Sequence, residues 1–380
     1  STSYTATLDR RAFRRFGLSL EGADRFEFQT HRLRVENAHL GFRYDRELDP
    51  EANGSDLILL VAAVMLPAVA GFSLSLILWA IRSNFQSVLT DCPHREKLGW
   101  LEQSYLMGGS VHYNFDVFHL YSKLIDDMMD AQTEDGMVPG IAPEYIEFGE
   151  PFRDIPEWGS ASVILPWLLY RWYGDREPME RAWDMMCRYV EYLGGRTENH
   201  ILSHGLGDWF DHGPERPGLP QLTPIALSAT AIYYYDLDLL GRMGALLEKT
   251  EEAEKYRLLS EQVRQAFNKR FFDPRNGVYA TGSQTAMSMP LVLNLVEEEH
   301  RGRVFSNLVD SIISNGKALT AGDVGFNFLV KALQDGGAEE LLFEMNARDD
   351  VPGYGYQLKM GATALTESWP ALRIVSNNHL

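Results

Sequence analysis

Thr90-Asp91-Cys92-Pro93-His94-Arg95-Glu96-Lys97-Leu98-Gly99-Trp100 interrupts a chain that otherwise reads as one helix after another. Apolar residues recur at helical spacing before it, over 74–89, and after it, over 101–131 with a break at Gly108-Gly109. Further helices are predicted over 160–173, 178–193, 224–247, 251–271, 286–295, 298–314, 325–333 and 339–345. Their joints are turn formers: Asp135-Gly136, Gly174-Asp175, Gly194-Gly195, Asp273-Pro274-Arg275-Asn276-Gly277 and Gly336-Gly337.

The connections alternate in character. One set is short and bland, as at Gly174-Asp175. The other set is longer and mostly carries Trp, His, Asp or Glu, at 90–103, 143–160, 203–220, 282–287, 320–325 and 351–369. Six such loops at one end would ring a single funnel, which is the plan of an all-α (α/α)6 barrel with one loop per hairpin. An open array of helices gives the same alternation. No fixed period recurs, so a solenoid is not supported.

Upstream, 24–46 reads as strand, with Phe26, Phe28, Leu33 and Val35 among polar neighbours and Gly41 and Asp45 ending the run. The texture changes after Pro50-Glu51-Ala52-Asn53-Gly54, which places an expected boundary between 1–50 and a helical domain over 51–380. The nearly apolar run 57–72 is shorter than the roughly 20 residues of a spanning helix and contains Pro67, so it is expected to be buried core rather than membrane. No signal-peptide pattern opens the residues given, Ser1 in place of Met suggests a processed start, and periplasm and cytoplasm both stay open.

The net charge of −18 argues against a nucleic-acid partner, because phosphate binding needs a basic face and no Lys/Arg cluster supplies one. Aromatic residues make up 12% of the chain, including 8 Trp and 17 Tyr, which suits stacking on sugar rings as well as it suits a large helical core. The two cysteines, Cys92 and Cys187, exclude a disulfide framework. Cys92 is expected to be a small buried thiol rather than a nucleophile. His204 and His212 flank Gly207-Asp208-Trp209, but no ligand set has metal spacing, so neither a metal nor a cofactor is expected.

The 90–100 run holds two carboxylates, Asp91 and Glu96, two or three cations and an indole. Such a run suits a pocket that grips a polyol and protonates it. A second acid, Glu367, lies in Gly361-Ala362-Thr363-Ala364-Leu365-Thr366-Glu367-Ser368-Trp369. Two acids in separate aromatic settings are what glycosidic-bond hydrolysis needs. An acid at neutral pH must keep its proton. Trp100 and Asp91 push the pKa of Glu96 up and Arg95 pulls it down, and the sequence alone does not rank them.

Thr90-Asp91-Cys92-Pro93, Arg95-Glu96 and Leu98-Gly99-Trp100 resemble the signature loop of the α-L-rhamnosidases of glycoside hydrolase family 78. The resemblance continues through Glu157-Trp158-Gly159-Ser160-Ala161, Gly207-Asp208-Trp209, Ser283-Gln284-Thr285-Ala286, Thr320-Ala321-Gly322, Val324-Gly325, the run from Gly361 to Trp369, and Asn378-His379. It implies an (α/α)6 barrel, preceded by the tail of a β-sandwich, that hydrolyses terminal α-L-rhamnosides with inversion. Glu96 would be the general acid and Glu367 the general base. Asp91 and Arg95 would hold rhamnose hydroxyls, Trp100, Trp158 and Trp209 would wall the subsite, and Asp208 and His379 would sit nearby. The family's barrel closes with a further helix beyond the Asn-His pair, so the chain as given is expected to lack it.

Three positions depart from the family's pattern: Gln103 with Glu102 beside it, Ser160, and Thr366. The first two would remove acceptors for sugar hydroxyls and put the glycone in doubt. The alternatives are an (α/α)6 glycosidase for a related sugar and a carbohydrate-binding relative without turnover; retention of both Glu96 and Glu367 argues against the latter. A polysaccharide lyase lacks its Tyr/His/Arg cluster. The partner expected is a carbohydrate with terminal α-L-rhamnose, without nucleic acid or membrane; the oligomeric state, a homo-oligomer included, stays open.

Overall fold

The computed structural model describes residues 69–93 and 95–369 and four strands, β1 (Ser3–Thr7), β2 (Leu18–Glu21), β3 (Arg25–Gln29) and β4 (Gly41–Tyr44). The chain divides into two compact units, Ser1–Ser75 and Leu76–Leu380. In the first, β1 pairs antiparallel with β3, Ser3 opposite Gln29, and β2 pairs antiparallel with β4, Leu18 opposite Tyr44. Strands β3 and β4 fall inside the 24–46 stretch read as strand. Of the apolar run 57–72, residues 57–68 lie outside the described residues. No helix among those described is long and apolar enough to cross a membrane.

The second unit is helical. It begins within α1 (Val69–Asn84), and its further elements are α2 (Glu102–Leu106), α3 (Gly108–Asn114), α4 (Phe118–Ala131), α5 (Pro156–Gly159), α6 (Ala161–Tyr173) and α7 (Glu177–Gly195). They continue with α8 (Ile225–Leu246), α9 (Thr250–Phe271), a short hairpin of β5 (Phe272–Asp273) and β6 (Val278–Tyr279), α10 (Gln284–Val292), α11 (Glu298–Ser314), α12 (Asp323–Asp335), α13 (Glu339–Ala347) and α14 (Tyr354–Lys359).

Two burial patterns sort these helices into inner and outer. Helix α9 buries one stripe, Tyr256, Ser260, Val263, Phe267 and Phe271, and is polar elsewhere, as expected of a helix covering a core. Helices α6, α8 and α10 are buried around most of their circumference; from Leu227 to Tyr234 every residue of α8 is buried. All-round burial requires neighbours on every side. The packing supplies them: α2, α6, α8, α10 and α12 each pack on the next, and α12 packs back on α2. The Asn327 amide of α12 donates to the Leu106 carbonyl of α2, 2.5 Å away, across this closure.

Five of the six long, chemistry-bearing loops precede an inner helix: 85–101 before α2, 132–160 before α6, 196–224 before α8, 272–283 before α10 and 315–322 before α12; the sixth, 351–369, holds α14 and runs to the last described residue. The short connections follow the inner helices. The alternation read from sequence is therefore the alternation of the two ends of a helical ring.

Three local differences have physical causes. The helix expected over 74–89 ends at Asn84, whose side chain bonds back to the Ala80 carbonyl and receives the Thr90 hydroxyl; Phe85 and Leu89 then pair as an isolated bridge. The stretch 101–131 is three helices, the second break falling where the Asp116 carboxylate accepts the Phe118 N–H and Phe115 is extended. Helix α14 was not foreseen.

Candidate active site

Asn84 fixes where the 90–100 loop leaves the barrel, and two backbone bonds fold it on itself: Asp91 N–H to Leu98 O and Lys97 N–H to Cys92 O. This short loop buries Asp91, Cys92 and Leu98 and leaves Arg95 and Glu96 outward. Asp91 Oδ1 accepts from the Cys92 N–H at 2.7 Å, and ligand-type atoms of Asp91, Cys92 and Glu96 lie within 4.8 Å of one another.

Two carboxylates this close share a proton, and the environment decides which holds it. Burial, and then the neighbouring Glu96 charge, push Asp91 up to about 8. Glu96 is pushed up by burial too, but hydrogen bonds from Asp91 and Cys92, the Arg95 charge and Trp100 outweigh it and hold its carboxyl below the usual range. At neutral pH the proton therefore rests on Asp91 and is shared toward Glu96. Burial keeps the Cys92 thiol protonated, as suits a packed thiol rather than a nucleophile. Both cysteines are free.

Arg95 bridges the loop to the far end of the chain. One guanidinium nitrogen lies 3.4 Å from Glu96 Oε2 and the other 3.5 Å from Glu367 Oε2. Through the planar guanidinium, the two carboxylate oxygens are at most about 9 Å apart, which admits the roughly 6.5–9.5 Å of an inverting pair. The Glu367 side chain is 6% exposed, against 32% for Glu96. Trp369, two residues on, donates its indole N–H to the Ala321 carbonyl and packs on Phe326, which ties this segment to the start of α12.

Two further buried acids, Asp323 and Glu102, lie within electrostatic reach of Asp91. Burial, followed by the charges of Glu367, Asp208 and Asp91, raises Asp323 well above the carboxylate range. Burial and the charges of Asp91 and Asp323 do the same to Glu102. The signal for Asp323 lay in plain view, between Gly322 and Val324 of two quoted motifs.

Asp208 and Trp158, expected in or near the sugar pocket, are placed otherwise. The Asp208 side chain is fully buried and accepts from the Thr285 hydroxyl and from the Gly322 and Gly325 N–H groups. A Cβ at Gly322 would collide with the Trp209 and Asp208 carbonyls, and one at Gly325 with the Thr285 side chain, so both positions need glycine for this close approach. Asp208 thus clamps the start of α12 to the loop that carries Asp208. We expect Asp208→Ala to lower stability by about 3 kcal/mol in urea unfolding, since buried amides lose their acceptor. Trp158 is 3% exposed and packs in the apolar core. Trp100 and Trp209 remain partly exposed, whereas His379 lies outside the described residues.

The three departures are also explained. Glu102 supplies a buried carboxyl beside Gln103, which is itself buried. Ser160 is buried and donates to Asp236 on α8 at 2.5 Å, so it does not face a substrate. Thr366 donates to the Ser368 carbonyl within its own turn. His204 lies 3.1 Å from Asp154, and the His212 N–H donates to the Thr320 carbonyl.

The model of the bacterial α-L-rhamnosidase six-hairpin glycosidase domain matches residues 74–380. An α-L-rhamnosidase of Streptomyces avermitilis is 30% identical over 299 residues, covering 78% of this chain and 28% of its own length. One from Formosa agariphila is 28% identical over 296 residues, covering 77% and 32%. The structure of α-L-rhamnosidase from Dictyoglumus thermophilum superposes with a TM-score of 0.77 at 30% identity, covering 82% of this chain and 35% of that one. The Streptomyces avermitilis α-L-rhamnosidase complexed with L-rhamnose gives 0.75 at 29% identity, covering 82% and 30%. The chain spans about a third of the length of these relatives. Their fold is the six-hairpin barrel expected from the loop pattern.

Proposed function

This chain belongs to the bacterial α-L-rhamnosidase six-hairpin glycosidase family, and from that premise we propose that it hydrolyses terminal α-L-rhamnosyl residues of glycans or glycosides with inversion. The observation that carries the reading is the Arg95 guanidinium in reach of both Glu96 and Glu367, which gathers two acids about one cation, no more than about 9 Å apart, a bound compatible with an inverting pair.

Glu96 gives a proton to the glycosidic oxygen as the bond to C1 breaks. Glu367 takes a proton from the water that attacks C1 on the opposite face, so the sugar leaves as the β-anomer. The aglycone gains the proton of Glu96, Glu367 gains one from water, and exchange with solvent resets both. Arg95, 44% exposed, offers its other N–H groups to hydroxyls of the sugar. Trp100 and Trp209 supply apolar wall suited to the 6-methyl group.

Asp91 enters this reading as the store of the acid's proton. When substrate excludes water and occupies Arg95, the charge on Glu96 loses support and the proton moves across from Asp91. The pair must keep one proton, so kcat/KM falls as pH rises through about 8, where Asp91 ionises. In Asp91→Asn no store remains beside a Glu96 of low pKa, and the alkaline limb moves toward acid pH. The pH profile of rhamnose release from methyl α-L-rhamnoside, whose leaving group needs the acid, checks this; an unmoved limb contradicts the role. Release absent at every pH from the folded protein contradicts the activity itself.

A further inference from the structure

Gln284, the first residue of α10, lies in the stretch Ser283-Gln284-Thr285-Ala286, and the hydrolytic reading gives it no task. Its side chain is buried, 6% exposed, and a buried amide needs partners at both of its ends. It finds them on the backbone of one loop. Nε2 donates to the Ala318 carbonyl at 2.8 Å, and Oε1 accepts from the N–H groups of Thr320 and Ala321 at 2.9 and 3.1 Å.

A peptide unit is planar, so a bond to its N–H or its carbonyl orients the whole unit. Gln284 thus fixes three successive units, from Ala318 to Ala321. The remaining groups of these units are held as well: Leu319 N–H donates to the Pro352 carbonyl at 3.1 Å, and the Thr320 carbonyl accepts from the His212 N–H at 2.9 Å. The next unit, Ala321 to Gly322, has its N–H on Asp208 at 3.0 Å. Its carbonyl is therefore aimed outward from a rigid strand, and the Trp369 indole N–H takes it at 2.9 Å.

Trp369 stands two residues beyond Glu367. The chain from 361 to 369 is irregular, so no helical ladder sets the direction of the Glu367 side chain. The Trp369 ring is seated against Phe326 at 5.0 Å and Tyr354 at 5.4 Å, and its indole N–H fixes which way the seated ring is turned.

We propose that Gln284 is a positioning residue for the general base: through the 318–321 backbone and Trp369 it sets where the Glu367 carboxylate stands against the attacking water. The proposal rests on the hydrolytic reading above and adds a residue that acts on the chemical step from behind the site.

The test measures kcat and KM for methyl α-L-rhamnoside, and inhibition by L-rhamnose, in the wild type, Gln284→Leu, Gln284→Glu and Trp369→Phe. Leucine removes the amide. A buried glutamic acid keeps its proton, and with it one donor and one acceptor. Phenylalanine keeps a ring on Phe326 and loses the indole N–H. In Gln284→Leu and in Trp369→Phe, kcat is expected to fall about 10- to 100-fold, the cost of a displaced catalytic group, while the L-rhamnose inhibition constant stays within about twofold. Gln284→Glu recovers most of the loss. The double variant Gln284→Leu/Trp369→Phe is no slower than the slower single one, because both cut the same path. Wild-type kcat in folded Gln284→Leu, or losses that multiply in the double variant, overturns the positioning role. If Gln284→Leu does not fold, Trp369→Phe carries the test, and wild-type kcat there overturns the role equally. A wild type that releases no rhamnose overturns the hydrolytic reading, and this role with it.

Discussion

Glu96→Gln is expected to cut kcat/KM on alkyl and sugar α-L-rhamnosides by about 10²–10⁴, the range removed with a general acid. The loss on a nitrophenyl substrate is smaller, because that leaving group departs without full protonation. Rhamnose binding stays largely intact. The amide keeps the size of the side chain at the tip of the 90–100 loop, where Glu96 is 32% exposed, so folding is not at stake. Activity close to that of the wild type on a sugar leaving group would remove Glu96 from the role of acid. A loss equal across all leaving groups would point to a binding defect instead.

The second large effect is at Glu367. Glu367→Ala is expected to lose about 10³ or more in kcat, because water attacking the anomeric carbon then has no base to take its proton. The side chain is 6% exposed, so its removal leaves a small polar space beside Arg95. Azide needs no base and fits such a space. It is expected to restore turnover and to give the β-L-rhamnosyl azide, the product of attack on the face opposite the leaving group. Rescue with α-configured product would place Glu367 on the wrong face.

Much of the barrel was legible in sequence, for a reason visible in its geometry. Outer helices such as α9 bury one stripe, which leaves a clear period in their polar faces. Inner helices such as α8 are buried nearly all round; their continuous apolar texture fixes extent but not partner. The long loops ahead of the inner helices announced themselves by composition. The short elements were hidden: the break before α4 rests on one Asp116 side-chain bond, and α14 is six residues long.

The site divides the same way. Glu96, Glu367 and Arg95 were singled out by their company, and the structure brings all three together. Asp208 looked the same in sequence but is a clamp, because a conspicuous acid between glycine and tryptophan does not reveal whether its oxygens face a pocket or three internal donors. Asp323 was passed over and Glu102 was noted only as the neighbour of Gln103, since nothing local marks an acid as buried. Only the ring of helices makes them neighbours of Asp91 and Glu367. Ser160 could be read against Asp236 only across 76 residues of chain.

The measurement that tests the account most directly is proton NMR of an aryl α-L-rhamnoside during its first minutes with the protein, before mutarotation mixes the products. The anomeric signal of β-L-rhamnose should rise first and decay toward the equilibrium mixture. An initial α-anomer would mean a retaining path that one water between Glu96 and Glu367 does not allow. No rhamnose from folded protein would refute the hydrolytic reading altogether.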